Sequence, residues 1–579
     1  MHKIWPDDKL TQIGIATISG LLLLRLFLVV ASPLELYADE AQYWRWGTSL
    51  DWGYYSKPPM VAWVIRFSTE LFGVSEWGVR LLAPVLHTIA ASFLFLLVRQ
   101  MFGNHAGLLT VFAYLLMPGI ILSSTIISTD GVLFPFWCLA LFLFWQLREA
   151  RLGWGGAVVL GVAIGCGFLS KYAMLYFAIG IALTMLLDAP TRKAMLSPKG
   201  ALIALLALAV LSPHLFWNAA NEFQTVGHTV DNANLEGKLF NLENLPKFLL
   251  DQMGVFGPVS FLALIIGLAF ARAKDTQDIA SKEAWLACFI VPVIVIIAFQ
   301  AVISRAHANW AATAYPAASI LVASIFLRLN TTRKTWLIIA GIVGLLIQIV
   351  PEFNAPIRLG IGVAVAAFLL AMGAIFHWRA VGLFWSGISI HVMIAIVFGT
   401  VSMGPPSWSA AIGADNTFKR TRGWQDLADQ LVREAERTQP TAILVDEREL
   451  WHGLDFYTRD RLPAPLILWR YNAGAENFAE QVPLAPEMAS KVLVASYRSN
   501  LRPRIKADFQ SFQPDGMISV ELGHRGNGCP LVRELRLYIA DGYAPLERDQ
   551  DWIRQFKVED ENGRLIDTHL DRLPSCPAK

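Results

Sequence analysis

The sequence predicts a polytopic α-helical membrane protein with about thirteen transmembrane helices, followed by a C-terminal α/β soluble domain. Three observations carry that reading. Of 579 residues, 55% are hydrophobic and only 16% are charged, against roughly 25% charged in an ordinary soluble domain. The mean hydropathy is +0.46. The apolar residues are also unevenly spread: 10–403 is a succession of apolar runs, whereas 404–579 has a soluble composition. A single soluble globule, a disordered chain and a disulfide scaffold are excluded. The net charge of +2 comes without a basic tract of the kind that nucleic-acid binding needs. Five cysteines fit no zinc or iron–sulfur spacing.

A helix crosses a hydrocarbon core of about 30 Å with about 20 apolar residues. Thirteen segments answer to that template: 11–31, 80–98, 106–122, 131–147, 153–170, 172–187, 200–217, 254–272, 284–303, 310–327, 336–350, 359–376 and 383–401. The first follows the acidic pair Asp7-Asp8 and has no small-residue cleavage site, so it reads as a retained span. Lysine and arginine in short loops set orientation. With the N-terminus inside, thirteen basic residues fall in inner connections, among them Arg99, Arg148, Arg192, Lys193, Arg328 and Arg379. The short outer connections hold only Lys171, Arg305 and Arg358. An odd number of spans then places the soluble tail outside, with segments 32–79 and 218–253. The organisation is a transmembrane domain, 1–403, whose outer loop 32–79 carries interfacial helices, followed by an extracytoplasmic α/β domain, 404–579.

Ionisable groups at membrane depth are costly and invite a functional reading. Here they gather on the outer face. Segment 37–59 holds Asp39-Glu40 among aromatic residues, then Tyr54-Tyr55-Ser56-Lys57-Pro58-Pro59, a composition suited to the headgroup layer. Further outer loops carry Ser128-Thr129-Asp130, Ser170-Lys171-Tyr172 and Arg305-Ala306-His307-Ala308-Asn309. Each has a plainer explanation. Asp39 and Asp130 could cap helices, Lys171 could snorkel from a span end, and Arg305 and His307 could anchor to headgroups. Those explanations do not account for an acidic pair and several cations collecting on one side.

Such a collection suits group transfer at the outer face. The chain has no Walker A loop and no GxGxxG fingerprint, and Asp549-Gln550-Asp551 reads as a solvated charged stretch. The activated group therefore arrives on a molecule flipped across the membrane, for which a lipid phosphate is the natural carrier. Cations would hold the phosphate and stabilise its charge as the glycosidic bond breaks; a carboxylate would accept the incoming hydroxyl's proton.

Asp39-Glu40 after the first span, Lys57-Pro58-Pro59 before the second, Thr129-Asp130, Gly167-Phe168-Leu169-Ser170-Lys171, and His307-Ala308-Asn309-Trp310 with Ala314-Tyr315-Pro316 resemble the GT-C glycosyltransferases. The resemblance covers about residues 10–400. It is strongest to the bacterial family-39-like group of protein O-mannosyltransferases, lipid A aminoarabinose transferases and lipopolysaccharide galacturonosyltransferases. It implies the GT-C fold in a bacterial inner membrane, with the active site on the periplasmic face. It implies a polyprenyl-phosphate-sugar donor and inverting transfer to an envelope acceptor (lipid A or lipopolysaccharide, another glycan, or protein). Asp39 is then the catalytic base or the group that orients the acceptor, and Glu40 supports it. Lys57, Lys171 and Arg305 contact donor phosphate; Asp130, His307, Asn309 and Tyr55 line the cavity. Some members of the superfamily use a divalent metal and others do not. Two departures bear on the acceptor. Loop 218–253 is too short for the β-trefoil domains of eukaryotic-type mannosyltransferases, and Ser56 stands where aminoarabinose transferases commonly have an acid.

In the tail, Trp424–Arg437 has helical spacing and 448–458 a helical pattern, while Ala442–Val445, Pro465–Trp469, Lys491–Ser496 and Leu535–Ala540 are strand-like. Asp446 and Glu447 read as a solvated strand end. Cys529 and Cys576 can pair in an oxidising compartment. A second functional reading is a lipid-linked-sugar flippase or secondary transporter, which would also expose charges in a membrane cavity but would show internal repeats and broken midplane helices.

Overall fold

The computed structural model describes residues 9–232, 240–270, 277–348, 355–411, 415–524, 529–549, 552, 557–559 and 565–567. Arg272, Lys274, the end of segment 336–350, Gln550, Asp551 and Cys576 lie outside them. The chain divides into two units: Met1–Ser32 with Leu50–Thr400, and Pro33–Ser49 with Val401–Lys579. Residues 33–49, which the sequence groups with the spans, thus belong to the unit built by the tail.

All thirteen apolar segments carry helix among the described residues. By length and apolarity eight helices suffice to cross a membrane, or ten if each of two bent pairs is one span, so thirteen is not reached on that criterion. The shortfall has local causes. Asn104–Leu115 stops ahead of Met117 and Pro118, since a residue before proline avoids the helical region. Trp154–Ser170 has 17 residues and Arg333–Ile347 has 15. The pair around Gly257 bends by 114°; that glycine has φ +93° and a Cβ would meet the His391 imidazole, a conformation and an approach that suit glycine.

Burial ranks the helices. Thr129–Arg148 and Ala308–Arg328 are 78% and 83% buried over their most apolar window, while Lys9–Ala31 and Pro198–Ala220 are 22% and 17% buried. The first two form the core, packed through Trp137, Phe144, Tyr315 and Phe326. The latter two turn Leu23, Phe27, Leu205 and Phe216 outward, as a lipid-facing helix does.

The second unit is an α/β layer. Its five-stranded sheet has the order β2 (Leu466–Leu468), β1 (Ala442–Val445), β3 (Val492–Ser496), β5 (Pro530–Tyr543), β4 (Phe509–His524). β1 runs parallel to β2 and β3, and β5 antiparallel to β3 and β4. Every residue of β1 and β3 is buried, as expected of strands covered on both faces. Trp424–Thr438 buries Trp424, Leu427, Ala428, Leu431, Val432 and Ala435, a one-sided stripe at helical spacing. β4 escapes a sequence reading because Pro514 and Gly516 interrupt its alternation; the register against β5 shifts between them. Lys557–Glu559 and Leu565–Asp567 form a separate two-stranded sheet. Cys529 is disulfide-bonded, and Cys138, Cys166 and Cys288 are free thiols.

Candidate active site

In the membrane unit, three helix-connecting segments meet at one carboxylate. Ser128 starts helix Thr129–Arg148 by accepting from the Gly131 N–H at 3.2 Å, which fixes Asp130 in the first turn. Lys171 ends helix Trp154–Ser170 in extended conformation. Its Nζ donates to Asp130 Oδ1 at 2.7 Å and Oδ2 at 2.8 Å. Asn309 Nδ2 donates to Oδ2 at 3.0 Å. The Asp130 side chain is 10% exposed and that of Lys171 is 21% exposed, so this ion pair is largely withdrawn from water. An ammonium has three N–H donors; two are used on Asp130, and one is left.

The other candidate residues of this unit sit as follows. Arg305, His307 and Asn309 are exposed, and the His307 ring packs on Trp310 with centroids 5.1 Å apart. Partial burial first, then the neighbouring charges of Arg305 and Lys247, hold the His307 imidazole below its ordinary value. Lys57 and Tyr55 are half-buried. The Lys57 carbonyl accepts from the Tyr54 N–H at 3.1 Å, and the Tyr55 ring stands 6.1 Å from His228.

Sequence reasoning missed a polar network that joins the Lys57 loop to the Lys171 turn. His214 Nδ1 donates to the Trp52 carbonyl at 2.7 Å, which leaves Nε2 to accept from the Tyr172 hydroxyl at 2.7 Å. The Trp217 indole donates to Asp51 Oδ2 at 2.7 Å, and Thr225 Oγ1 to the Tyr54 carbonyl at 2.7 Å. Loop 51–57 is therefore laced to the residue that follows Lys171. The available signal was Ser212-Pro213-His214, a polar break inside an apolar run. A second network stands behind Asp130: His87 bridges the Tyr114 hydroxyl at 3.1 Å and Ser123 Oγ at 2.9 Å, and a Cβ at Gly131 would lie 3.5 Å from His87 Nε2.

Asp39 and Glu40 lie in the other unit, in helix Ala38–Gly47. Glu40 is buried, and its Oε2 accepts from the Tyr37 N–H at 3.0 Å, pinning the start of its own helix. The Asp39 side chain is 49% exposed and stands 4.0 Å from Arg448 Nη2. Asp446 is buried, and its carboxylate accepts from Ser496 Oγ, the Tyr497 N–H and the Arg498 N–H at 2.7, 2.8 and 3.1 Å. It clamps the exit of β3 and is no solvated strand end. Among the described residues no three His, Cys, Asp or Glu side chains gather as a metal site.

Comparison with known proteins decides the family. Residues 56–217 match the family described as dolichyl-phosphate-mannose-protein mannosyltransferase. Over 343 residues, 59% of this chain and 71% of the relative, the sequence is 36% identical to lipid A galacturonosyltransferase RgtD of Rhizobium johnstonii. The chain belongs to this family of GT-C glycosyltransferases. Crystal structures of ArnT from Cupriavidus metallidurans show the same fold for this transferase. The form bound to undecaprenyl phosphate and the apo form each match at TM-score 0.61 and 17% identity, over 90% and 91% of this chain and 97% and 98% of theirs. The transferase is thus a multi-pass membrane enzyme that moves glycosyl groups, and the transporter reading is set aside.

Proposed function

We propose that this enzyme transfers a galacturonosyl group from a polyprenyl-phosphate donor to lipid A at the periplasmic face of a bacterial inner membrane. The likeness to RgtD suggests the sugar and the acceptor. The single observation that carries the mechanism is the Lys171–Asp130–Asn309 cluster, a preoriented cation with one N–H to spare.

In this reading an acceptor oxygen attacks the anomeric carbon from the side opposite the phosphate. The C1–O bond to phosphate breaks, its electron pair goes to the phosphate oxygen, and configuration inverts. The hydroxyl proton passes to the Asp39 carboxylate. The leaving polyprenyl phosphate gains a negative charge, which Lys57, Lys171 and Arg305 stabilise. Such donors act best when fixed before charge develops, and a bidentate carboxylate fixes the Lys171 ammonium. Tyr55, His307 and Asn309 serve as polar contacts to sugar or phosphate.

The test compares lipid A and prenyl-linked sugars of a deletion strain with those of its parent by mass spectrometry. The expected result is loss of a hexuronate from lipid A together with accumulation of prenyl-phosphate hexuronate. Unchanged lipid A with a defect in another glycan or a protein overturns the acceptor assignment. Accumulation of a different prenyl-phosphate sugar overturns the donor assignment.

A further inference from the structure

Helix Ala38–Gly47 is inserted between the first span and the Lys57 loop in the sequence, yet it folds as part of the C-terminal unit. Its main support is buried. Trp44 meets Phe456 edge-on at 4.9 Å, and Trp46 is fully buried against Phe478. The Leu36 N–H donates to the Tyr457 hydroxyl at 2.7 Å. Glu35 caps helix Trp424–Thr438 by accepting from the Trp424 and Gln425 N–H groups at 2.6 and 2.9 Å; the preceding Gly423 has no side chain to do so. These contacts fasten the helix whatever its charged side chains do.

Against that background two cations, Arg448 and Arg420, bear on Asp39. Arg448 opens helix Arg448–Thr458, which packs on helix Ala38–Gly47. Its guanidinium reaches Asp39 Oδ1 at 4.0 Å and donates to Gln42 Oε1 at 3.4 Å. Asp39 and Gln42 are one turn apart on the same face, so a single planar group spans both. Arg420 is bound to the Tyr37 hydroxyl and stands 3.3 Å from Glu449, near enough to feel the Asp39 charge, but among the described residues it makes no hydrogen bond with Gln42. The Asp39 and Arg448 side chains are 49% and 37% exposed, and exposed pairs contribute little to stability. The pair is not what keeps the helix docked.

We propose that Arg448 is a positioning residue for glycosyl transfer: it orients the Asp39 carboxylate, both residues belonging to the C-terminal unit. This rests on the assignment of Asp39 above.

The test uses the full-length enzyme in lipid nanodiscs, with polyprenyl-phosphate galacturonate as donor and lipid A as acceptor. R448Q lowers kcat about 10- to 100-fold, the scale of a slightly misplaced catalytic group. It leaves the donor KM within twofold and the melting temperature unchanged. R448K recovers part of kcat, and D39N abolishes transfer. The double variant D39N/R448Q is no worse than D39N. Wild-type turnover by D39N overturns the Asp39 assignment itself. Loss of activity in D39N with an unchanged kcat in R448Q overturns the positioning role alone. A raised donor KM at unchanged kcat in R448Q also overturns it, by making Arg448 a substrate contact.

Discussion

Substitution of Lys171 separates structural from chemical work at the Asp130 cluster. In K171M the Asp130 carboxylate, 10% exposed, keeps the Asn309 amide as its remaining side-chain partner. Stranding one member of a buried pair costs about 3–5 kcal/mol, so K171M melts well below wild type. D130N is milder, because the flexible Lys171 side chain is 21% exposed and can swing its ammonium toward water. Replacing both with apolar groups of similar volume is often close to neutral, so K171M/D130L recovers most of the lost stability. Activity behaves differently if the spare N–H of Lys171 meets the leaving phosphate. Removal of one such preorganised donor costs about 10²–10³ in kcat, and the double variant, though stable, stays down by that factor. The assay pairs thermal melts in detergent with single-turnover transfer from prenyl-phosphate galacturonate. A double variant that regains both stability and turnover refutes the phosphate role; a K171M melt equal to wild type refutes the buried pair.

Three further outcomes follow from the same structure. H214L removes the link from Tyr172 to the Trp52 carbonyl; it should raise the donor KM several-fold with little loss of stability, and an unchanged KM in steady-state assays would show the network to be inert. E35Q keeps one acceptor of the two that cap helix Trp424–Thr438 and should destabilise the C-terminal unit by about 1 kcal/mol, read from denaturant melts followed by tryptophan fluorescence. Burial pushes Asp455 from the ordinary aspartate value of 3.8 up to about 6, against the pull of Arg45. The folded form then binds the proton more tightly than the unfolded form, so the contribution of Asp455 to stability is greatest below about pH 4 and declines as pH rises through 6. The decline is at most about 3 kcal/mol at about 1.4 kcal/mol per tenfold. D455N should flatten that part of the stability–pH curve, and a D455N curve parallel to wild type from pH 4 to 6.5 would contradict it.

Legibility in the sequence followed the range of the interaction. Spans and tail helices are written in local apolar spacing, and Ala442–Val445 and 448–458 appear where the pattern puts them. The meeting of Asp130, Lys171 and Asn309 rested on topology: three polar loops assigned to one face by the basic residues of the other. What topology could not show is that Lys171 spends two donors on Asp130. That depends on side-chain reach across 41 residues of sequence separation. His214 was hidden for a different reason. A single imidazole in an apolar run reads as a flaw in a span until its partners, Trp52 and Tyr172, are known.

Asp39 is the instructive case, because its own neighbourhood in sequence is misleading. Aromatic and charged residues in alternation suggested a helix lying among headgroups, and the helix is there. Yet Trp44 and Trp46 are buried against Phe456 and Phe478 within the C-terminal unit, and Gln42 finds Arg448 across 406 residues. No period or propensity encodes a partner that distant. The proposed role of Asp39 demands one: a base must be held to within a fraction of an ångström of its task, and the Asp39 carboxylate is half-exposed at the start of a ten-residue helix. Helix Ala38–Gly47 folds into a unit with its own sheet and buried core, and on the proposed reading the arginine at the start of the helix packed against it aims the carboxylate.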